Sequence, residues 1–296
     1  MNGFTHAPQR GTIELEDARV VGQTHHSGNQ YILTVAAPAV ARRATPGSFA
    51  HVRCDADIPM RRPLSIMRAN PASGELQFLY KIVGQGLNAL SRLRPGDSLS
   101  VLGPIGNGFS LNPDKPHKLL VGGGVGIPPM VFLGEQLAAA GQAANTLILM
   151  GSEVPFPFPT SRSARPVRGM PDTATHGIDE LEQLGIATRL ASLADYAGVY
   201  RGYVTELAAG WLSGMTPAEL AAVEMFGCGP EPMLAAAAKV AAAFGIDCQL
   251  SLEEYMACAV GGCAGCTVPV RVDGTIAMKR VCVDGPVFAA HTVYPG

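Results

Sequence analysis

The sequence predicts a mixed β and α/β chain in three parts: an N-terminal antiparallel β-barrel, a central Rossmann-like parallel α/β domain and a small C-terminal cysteine module. Three observations predict it. Between Gly11 and Leu111, short β-branched and aromatic runs alternate with Pro- and Gly-containing turns, and no long helical period intervenes. The middle of the chain alternates apolar runs, glycine turns and helical periods, the pattern of a parallel sheet with crossover helices. Near the end, four cysteines stand at close, uneven spacing. The expected divisions are residues 1–10 as a tail, 11–112 as the barrel, 113–247 as the α/β domain and 248–296 as the cysteine module.

Composition bounds the function. At 296 residues the chain suggests roughly two domains with room for a third module. Hydrophobic residues make up 47% and charged residues 16%, so a packed core is expected rather than disorder. A net charge of −2 without a basic stripe argues against nucleic acid. Residues Met1 to His6 lack the apolar run of a signal peptide. The longest apolar stretches are interrupted by Gly and Pro, so no membrane span is expected. A cytoplasmic location follows, in keeping with thiols held reduced.

In the barrel region, residues 31–35 and 76–83 read as strands, with turns at Pro46-Gly47 and Pro95-Gly96-Asp97. Residues 87–93 suit one short helix. The run Arg61-Arg62-Pro63-Leu64-Ser65 offers a guanidinium fork suited to a phosphate, a fixed backbone and a hydroxyl. Its alternative is an ordinary basic turn. Gly84-Gln85-Gly86-Leu87-Asn88 puts glycines ahead of the short helix, where N–H groups favour a phosphate. A plain turn is the alternative there.

The α/β domain opens with an apolar run at residues 118–121. It passes into Gly122-Gly123-Gly124-Val125-Gly126-Ile127-Pro128-Pro129 and then a helical stretch, residues 130–140. Strand, glycine turn and helix form the first unit of a nucleotide-binding fold, although the spacing is not G-x-G-x-x-G. A second strand is expected over 145–151. Glu153 after it suits a ribose hydroxyl, while Arg162 suits a 2′-phosphate, so the NAD or NADP preference stays open. Residues 155–171, rich in Pro, Ser and Arg, read as a long loop. A third strand is expected over 188–193. Thr205 is the expected N-cap of a helix. A strand at 223–228 ends in Gly229 and Pro230, an Ala-rich helix follows over 232–244, and a last strand over 247–252.

Four residues separate Cys258 from Cys263, two separate Cys263 from Cys266, and fifteen precede Cys282. C-x4-C-x2-C…C is the plant-type [2Fe–2S] pattern. Four-thiolate zinc usually shows two C-x2-C knuckles, and this chain has one. Disulfides suit small secreted domains. Zinc and disulfides remain the alternatives. Cys54, Cys228 and Cys248 are scattered and read as small buried hydrophobes.

Taken together, these motifs resemble the ferredoxin reductase-like flavoproteins over nearly the whole chain. Arg62-Pro63-Leu64-Ser65 resembles that family's R-P-x-S flavin motif. Residues 122–129 are similar to its G-G-x-G-x-x-P nicotinamide loop, and Cys228-Gly229-Pro230-Glu231-Pro232-Met233 to its C-G-P-x-x-M signature. Within the family, the cysteine module after Ser251-Leu252-Glu253-Glu254 resembles that of the electron-transfer subunits of NAD-dependent dihydroorotate dehydrogenase B. So do residues 101–109 (VLGPIGNGF) and 202–207 (GYVTEL).

The resemblance implies FAD in the barrel, with Arg62, Pro63, Leu64 and Ser65 beside the flavin and Leu79, Tyr80 and Lys81 along it. Gly86 and Leu87 would lie at the pyrophosphate, and Gly123, Gly124, Gly126, Cys228, Gly229 and Pro230 at NAD. One [2Fe–2S] cluster is implied on Cys258, Cys263, Cys266 and Cys282. The implied activity is that of an oxidoreductase in pyrimidine biosynthesis. Electrons from an FMN-containing dihydroorotate dehydrogenase catalytic subunit would pass through the cluster and FAD to NAD+, in a heterotetramer of two plus two subunits. No residue is expected to act as acid or base toward dihydroorotate. Leu87 stands where the family usually has Thr, and residues 154–159 (VPFPFP) have no counterpart in that subunit. The other reading keeps the cofactors but sends electrons from NAD(P)H to an oxygenase, hydrogenase or ferredoxin. A binding module with structural zinc and an empty nucleotide fold is the third.

Overall fold

The computed structural model describes residues 11–295; the expected tail, residues 1–10, lies outside them. Six strands close the barrel: β1 (Glu14–His26), β2 (Gln30–Ala36), β3 (Phe49–Arg53), β4 (Arg62–Asn70), β5 (Glu75–Lys81) and β6 (Ser98–Ile105). Their order is β1-β2-β5-β4-β3-β6 and every pair is antiparallel. Alternation sends Leu33, Val35, Val52, Ile66, Phe78 and Val101 inward as one buried core. Each such side chain stabilises the fold by about 1.5–3 kcal/mol relative to leaving it exposed. Helix α1 (Pro38–Ala41) crosses after β2, and α2 (Gly84–Leu90) follows β5.

The second domain is built on β7 (His117–Gly123), α3 (Ile127–Ala139) and β8 (Thr146–Gly151). A hairpin of β9 (Thr160–Arg162) and β10 (His176–Ile178) precedes α4 (Asp179–Gln183), β11 (Ala187–Ser192) and β12 (Tyr200–Arg201). Then come α5 (Val204–Ser213), α6 (Pro217–Ala221), β13 (Val223–Cys228), α7 (Glu231–Phe244) and β14 (Asp247–Ser251). The C-terminal part adds the hairpin β15 (Thr267–Val272) and β16 (Thr275–Arg280), then β17 (Val287–Ala289) and α8 (Ala290–Val293). The large sheet runs β12-β11-β8-β7-β13-β14-β17, parallel except at β17.

Several expectations shift. β14 pairs with β13 from Glu224↔Asp247 to Cys228↔Ser251, so the sheet runs past the division expected at residue 247 and the module begins after Ser251. The cap of α5 is Tyr203, not Thr205. The Tyr203 N–H donates to Glu206 Oε2 at 2.8 Å, while Thr205 is buried inside the first turn. The region read as one loop over 155–171 contains β9, paired to β10.

Several ties join the two domains, among them the following. The Pro/Phe segment after Gly151 is a strap over the barrel: Val154 packs so closely on Gly28 that an added Cβ there would sit 2.6 Å from it. Gln30 Nε2 donates to Pro155 O at 2.8 Å, and buried Phe158 joins Met67 and Leu79. Arg68 of β4 donates to Glu135 of α3 (2.6 Å) and to Glu180 of α4 (2.7 Å). Beneath the sheet, buried Lys118 pairs with buried Glu224 at 2.9 Å, and both hold the linker at Asn112. Among the described residues, no helix is long and apolar enough to cross a membrane.

Candidate functional site

The ladder between β4 and β5 stops at Ile66↔Phe78. Beyond it, Arg62 to Ser65 pair with β3, while Leu79 to Lys81 pair with β2. The two strand ends therefore splay and open a cleft in the barrel wall. Alternation sends Leu64 into the barrel core and puts Pro63, Ser65 and Met67 on the outer face. Met67 and Leu79 share a second buried core with Ile127, Met130 and Cys228 of the nucleotide domain. The outer face of the splayed strands thus looks across at both glycine turns.

Helix α2 closes one end of this cleft. A Cβ added at Gly86 would lie 3.0 Å from Arg62 Nε and 3.1 Å from Cζ and Nη2. Two motifs far apart in sequence therefore meet, and a guanidinium lies over the first turn of a helix. Cation and helix start together are a donor set for a phosphate anion, and the cradle fits the pyrophosphate of FAD. Leu87 packs on the barrel core and offers no hydroxyl there.

Other predicted residues sit differently. The Tyr80 side chain points into the barrel. It stacks on Tyr31 at 5.5 Å, and its hydroxyl donates to Gln23 Oε1 at 2.9 Å. Gln23 Nε2 in turn donates to Leu90 O and Leu93 O at 3.2 Å. Tyr80 thus anchors the end of α2, and only its backbone borders the cleft. Arg61 clamps strands instead of facing a ligand, with Nη1 on His51 O (3.1 Å) and Ser100 O (3.0 Å).

The second half of the site is a pair of interlocked turns. β7 and β13 are neighbours, with Cys228 opposite Gly122. A Cβ on Gly126 would sit 2.4 Å from the Cys228 carbonyl atoms and from Gly229 N. A Cβ on Gly123 would meet Met233 Sδ at 2.4 Å. Only glycine lets these turns approach so closely at the carboxyl ends of the parallel strands β7 and β13. Cys228 is fully buried, and that burial pushes its thiol well above its ordinary range. It is a neutral S–H beside Ser251.

Glu253 lies within electrostatic reach of Cys228. It is open to solvent yet walled by protein, and this desolvation raises its carboxyl above the usual carboxylate range. Sequence reasoning left it unassigned, although its place directly before the cysteine loop was a signal. Glu153 and Arg162 are both exposed, after β8 and in β9 respectively.

The cysteine loop uses left-handed backbone at Ala259 (φ 56°), Gly261 (φ 81°) and Ala264 (φ 54°) to coil tightly. The coil aims N–H groups at sulfur: Gly262 N and Cys263 N reach Cys258 Sγ at 3.2 and 3.4 Å, and Gly265 N reaches Cys263 Sγ at 3.4 Å. Burial opposes ionisation of Cys258, but these donors outweigh it and bring its thiol down to about 7. Cys266 and Cys282 lie 3.3 Å apart and are buried. Burial and the neighbouring Cys266 push Cys282 up to about 12. Among the described residues no three His, Cys, Asp or Glu side chains gather around one point as a single ion would need. The sulfurs stand as two pairs, and four soft donors with amides aimed at them fit a two-iron cluster.

A closed antiparallel barrel with an open wall, facing interlocked glycine turns and carrying a four-thiol module, defines a ferredoxin reductase-like oxidoreductase. The solved structure of a NADH-dependent reduced ferredoxin–NADP oxidoreductase, described for flavin-based electron bifurcation, matches at a TM-score of 0.73 and 25% identity, covering 99% of this chain and 91% of that one. A ferredoxin NADP+ reductase from Neisseria gonorrhoeae, solved with FAD and NADP, shares the fold at a TM-score of 0.55 and 15% identity, over 78% of this chain and 92% of that one. The family profile for the iron–sulfur cluster binding domain of dihydroorotate dehydrogenase B matches residues 253–294. The dihydroorotate dehydrogenase B (NAD(+)) electron transfer subunit of Desulforamulus reducens is 33% identical over 94% of this chain and 97% of its own length. That of Geobacillus kaustophilus is 34% identical over 95% and 99%. The chain belongs to the family of dihydroorotate dehydrogenase B (NAD(+)) electron transfer subunits.

Proposed function

We propose that this chain carries electrons from an FMN-containing dihydroorotate dehydrogenase catalytic subunit to NAD+, using FAD and one [2Fe–2S] cluster, in a complex of two copies of each subunit. The observation that carries the reading is the shared core of Met67, Leu79, Ile127, Met130 and Cys228, which sets the open barrel wall against the glycine turns. When bound, FAD exchanges a hydride with nicotinamide and single electrons with the cluster, joining a two-electron carrier to a one-electron path.

The chain's own residues do the rest. Arg62 and the α2 start hold the pyrophosphate of FAD. Ser65 and the free edge of Leu79 to Lys81 border the flavin. Gly123, Gly124, Gly126, Gly229 and Pro230 admit the nicotinamide nucleotide, and the Cys228 thiol walls it without ionising. Glu253, its carboxyl raised above the usual carboxylate range by desolvation, stands within electrostatic reach of Cys228. Cys258, Cys263, Cys266 and Cys282 are the cluster ligands. Thiols kept free for a cluster also favour the reducing cytoplasm.

The test is the anaerobically purified full chain. One FAD, two irons and two sulfides per chain are expected, with NADH-dependent dye reduction. Dihydroorotate oxidation should need the FMN subunit. Robust dihydroorotate turnover by the isolated chain would sink the reading. The whole-length likeness to the ferredoxin–NADP oxidoreductase favours a second reading, delivery of electrons from NAD(P)H to a ferredoxin or oxygenase. The partner that co-purifies separates the two.

A further inference from the structure

The segment Gly103-Pro104-Ile105-Gly106-Asn107-Gly108-Phe109 joins all three parts of the molecule. Toward the barrel, Phe109 N donates to Pro46 O at 3.0 Å, and Gly108 lies so close that an added Cβ would meet Pro46 O at 2.5 Å. Toward the nucleotide domain, Phe109 packs edge-on against Phe226, with ring centroids 5.4 Å apart. Toward the cysteine module, Asn107 makes three hydrogen bonds. Its backbone N–H donates to Gly285 O at 2.7 Å. Its side-chain Nδ2 donates to Val283 O at 3.3 Å and to Asp284 O at 3.0 Å. Both amide protons are thus spent on the carbonyls of the two residues directly after Cys282.

This contact continues into the cleft wall. Ser65 pairs with Phe49, and Phe49 pairs with Ile105, so one backbone ladder runs from the flavin-facing edge to two residues before Asn107. Phe49 and Ile105 also share a buried core with Cys266 and Cys282. We propose that Asn107 is a positioning residue: it locks the Cys282 side of the cluster in register with the barrel edge at Ser65 and so fixes the spacing between cluster and flavin. The inference rests on the reading of the four cysteines as cluster ligands. An amide is suited to the task because two N–H groups in one plane take two successive carbonyls, which a hydroxyl or carboxylate cannot. Groups one step outside a metal's ligands typically change affinity or activity ten- to hundred-fold when removed.

The test compares wild type, Asn107→Ala and the isosteric Asn107→Asp in the full chain, purified anaerobically with its catalytic subunit. FAD content and the rate of flavin bleaching by NADH should stay within about two-fold of wild type. The electron paramagnetic resonance spectrum of the reduced cluster should change in both variants. Cluster reduction after NADH addition should slow by at least about ten-fold. Asn107→Asp keeps the size but loses the donors, so it carries the test if the alanine variant fails to fold. Wild-type spectra and cluster-reduction rates in Asn107→Asp would overturn the inference. A wild-type chain with FAD but neither iron nor sulfide would overturn the cluster reading first, and this inference with it.

Discussion

Gly126→Ala is the sharpest test of the nicotinamide turn. The added methyl would sit 2.4 Å from Cys228 C, Cys228 O and Gly229 N, all backbone atoms that no rotamer change can clear. Ordinary contact begins near 3.4 Å, so the two turns must part by about 1 Å. Overpacking of this kind costs typically 1–3 kcal/mol of stability. A misplacement of about 1 Å at a reacting centre can cost a hundred-fold in rate, or about 2.7 kcal/mol. The assay is NADH-dependent dye reduction, with thermal unfolding and flavin content measured in parallel. The expected outcome is a drop in kcat/KM of roughly a hundred-fold with FAD retained, because the barrel is untouched. Gly245→Ala is the control: at φ +64° with nothing within 4 Å of its added Cβ, it strains only the end of α7. It should cost about 1 kcal/mol of stability and leave kcat/KM unchanged. A Gly126→Ala enzyme within three-fold of wild type would refute the placement of nicotinamide between these turns.

Three further outcomes are expected. Arg62→Ala should weaken FAD roughly ten- to hundred-fold, by loss of a charged hydrogen-bonding group at the α2 start; fluorescence titration of the apoprotein with FAD measures it, and unchanged affinity would remove Arg62 from the site. Glu224→Ala strands the buried Lys118 cation and should cost about 3–5 kcal/mol, whereas the paired change Lys118→Met with Glu224→Leu strands no charge and should cost less, the remaining loss being the hydrogen bonds to Asn112 and Gln249; equal thermal shifts in both would contradict the ion-pair account. The third concerns His51, a fully buried ring, its pKa brought down to about 4 by burial first and then by the Arg61 cation. The fold prefers the neutral ring, so this preference stabilises fully above pH 6.5 and is lost as pH falls from there toward 4. His51→Leu should therefore lose less of its urea midpoint between pH 7 and pH 5 than wild type does, and an identical pH slope would show that the ring does not report on folding.

Much of this architecture was legible because local chemistry specifies it. The run from Lys118 to Pro129 reads as strand, glycine turn and helix, and it folds as such because an apolar run, four glycines and a proline at the first helical turn all agree. The spacing of the four cysteines marked out the loop, and the structure sets Cys258 beside Cys263 and Cys266 beside Cys282. What stayed hidden depends on distant partners. Nothing in Val154 to Pro159 announces a strap, since its meaning lies in Gly28 and Gln30 of another domain. Tyr80 sat in a recognisable motif, but strand parity turned its ring inward, where Gln23 takes the hydroxyl. Thr205 has the composition of a cap, yet the chain enters α5 one residue after Tyr203, so Glu206 caps by reaching back. β14 could be counted with either neighbour by composition, and only its ladder to β13 decides.

The unequal exposure of the four thiols gives the chain a front and a back. Cys266 and Cys282 are rooted among valines, while Cys258 and Cys263 sit toward the surface. Any reagent that comes from solvent therefore meets Cys258 and Cys263 before it meets Cys266 and Cys282.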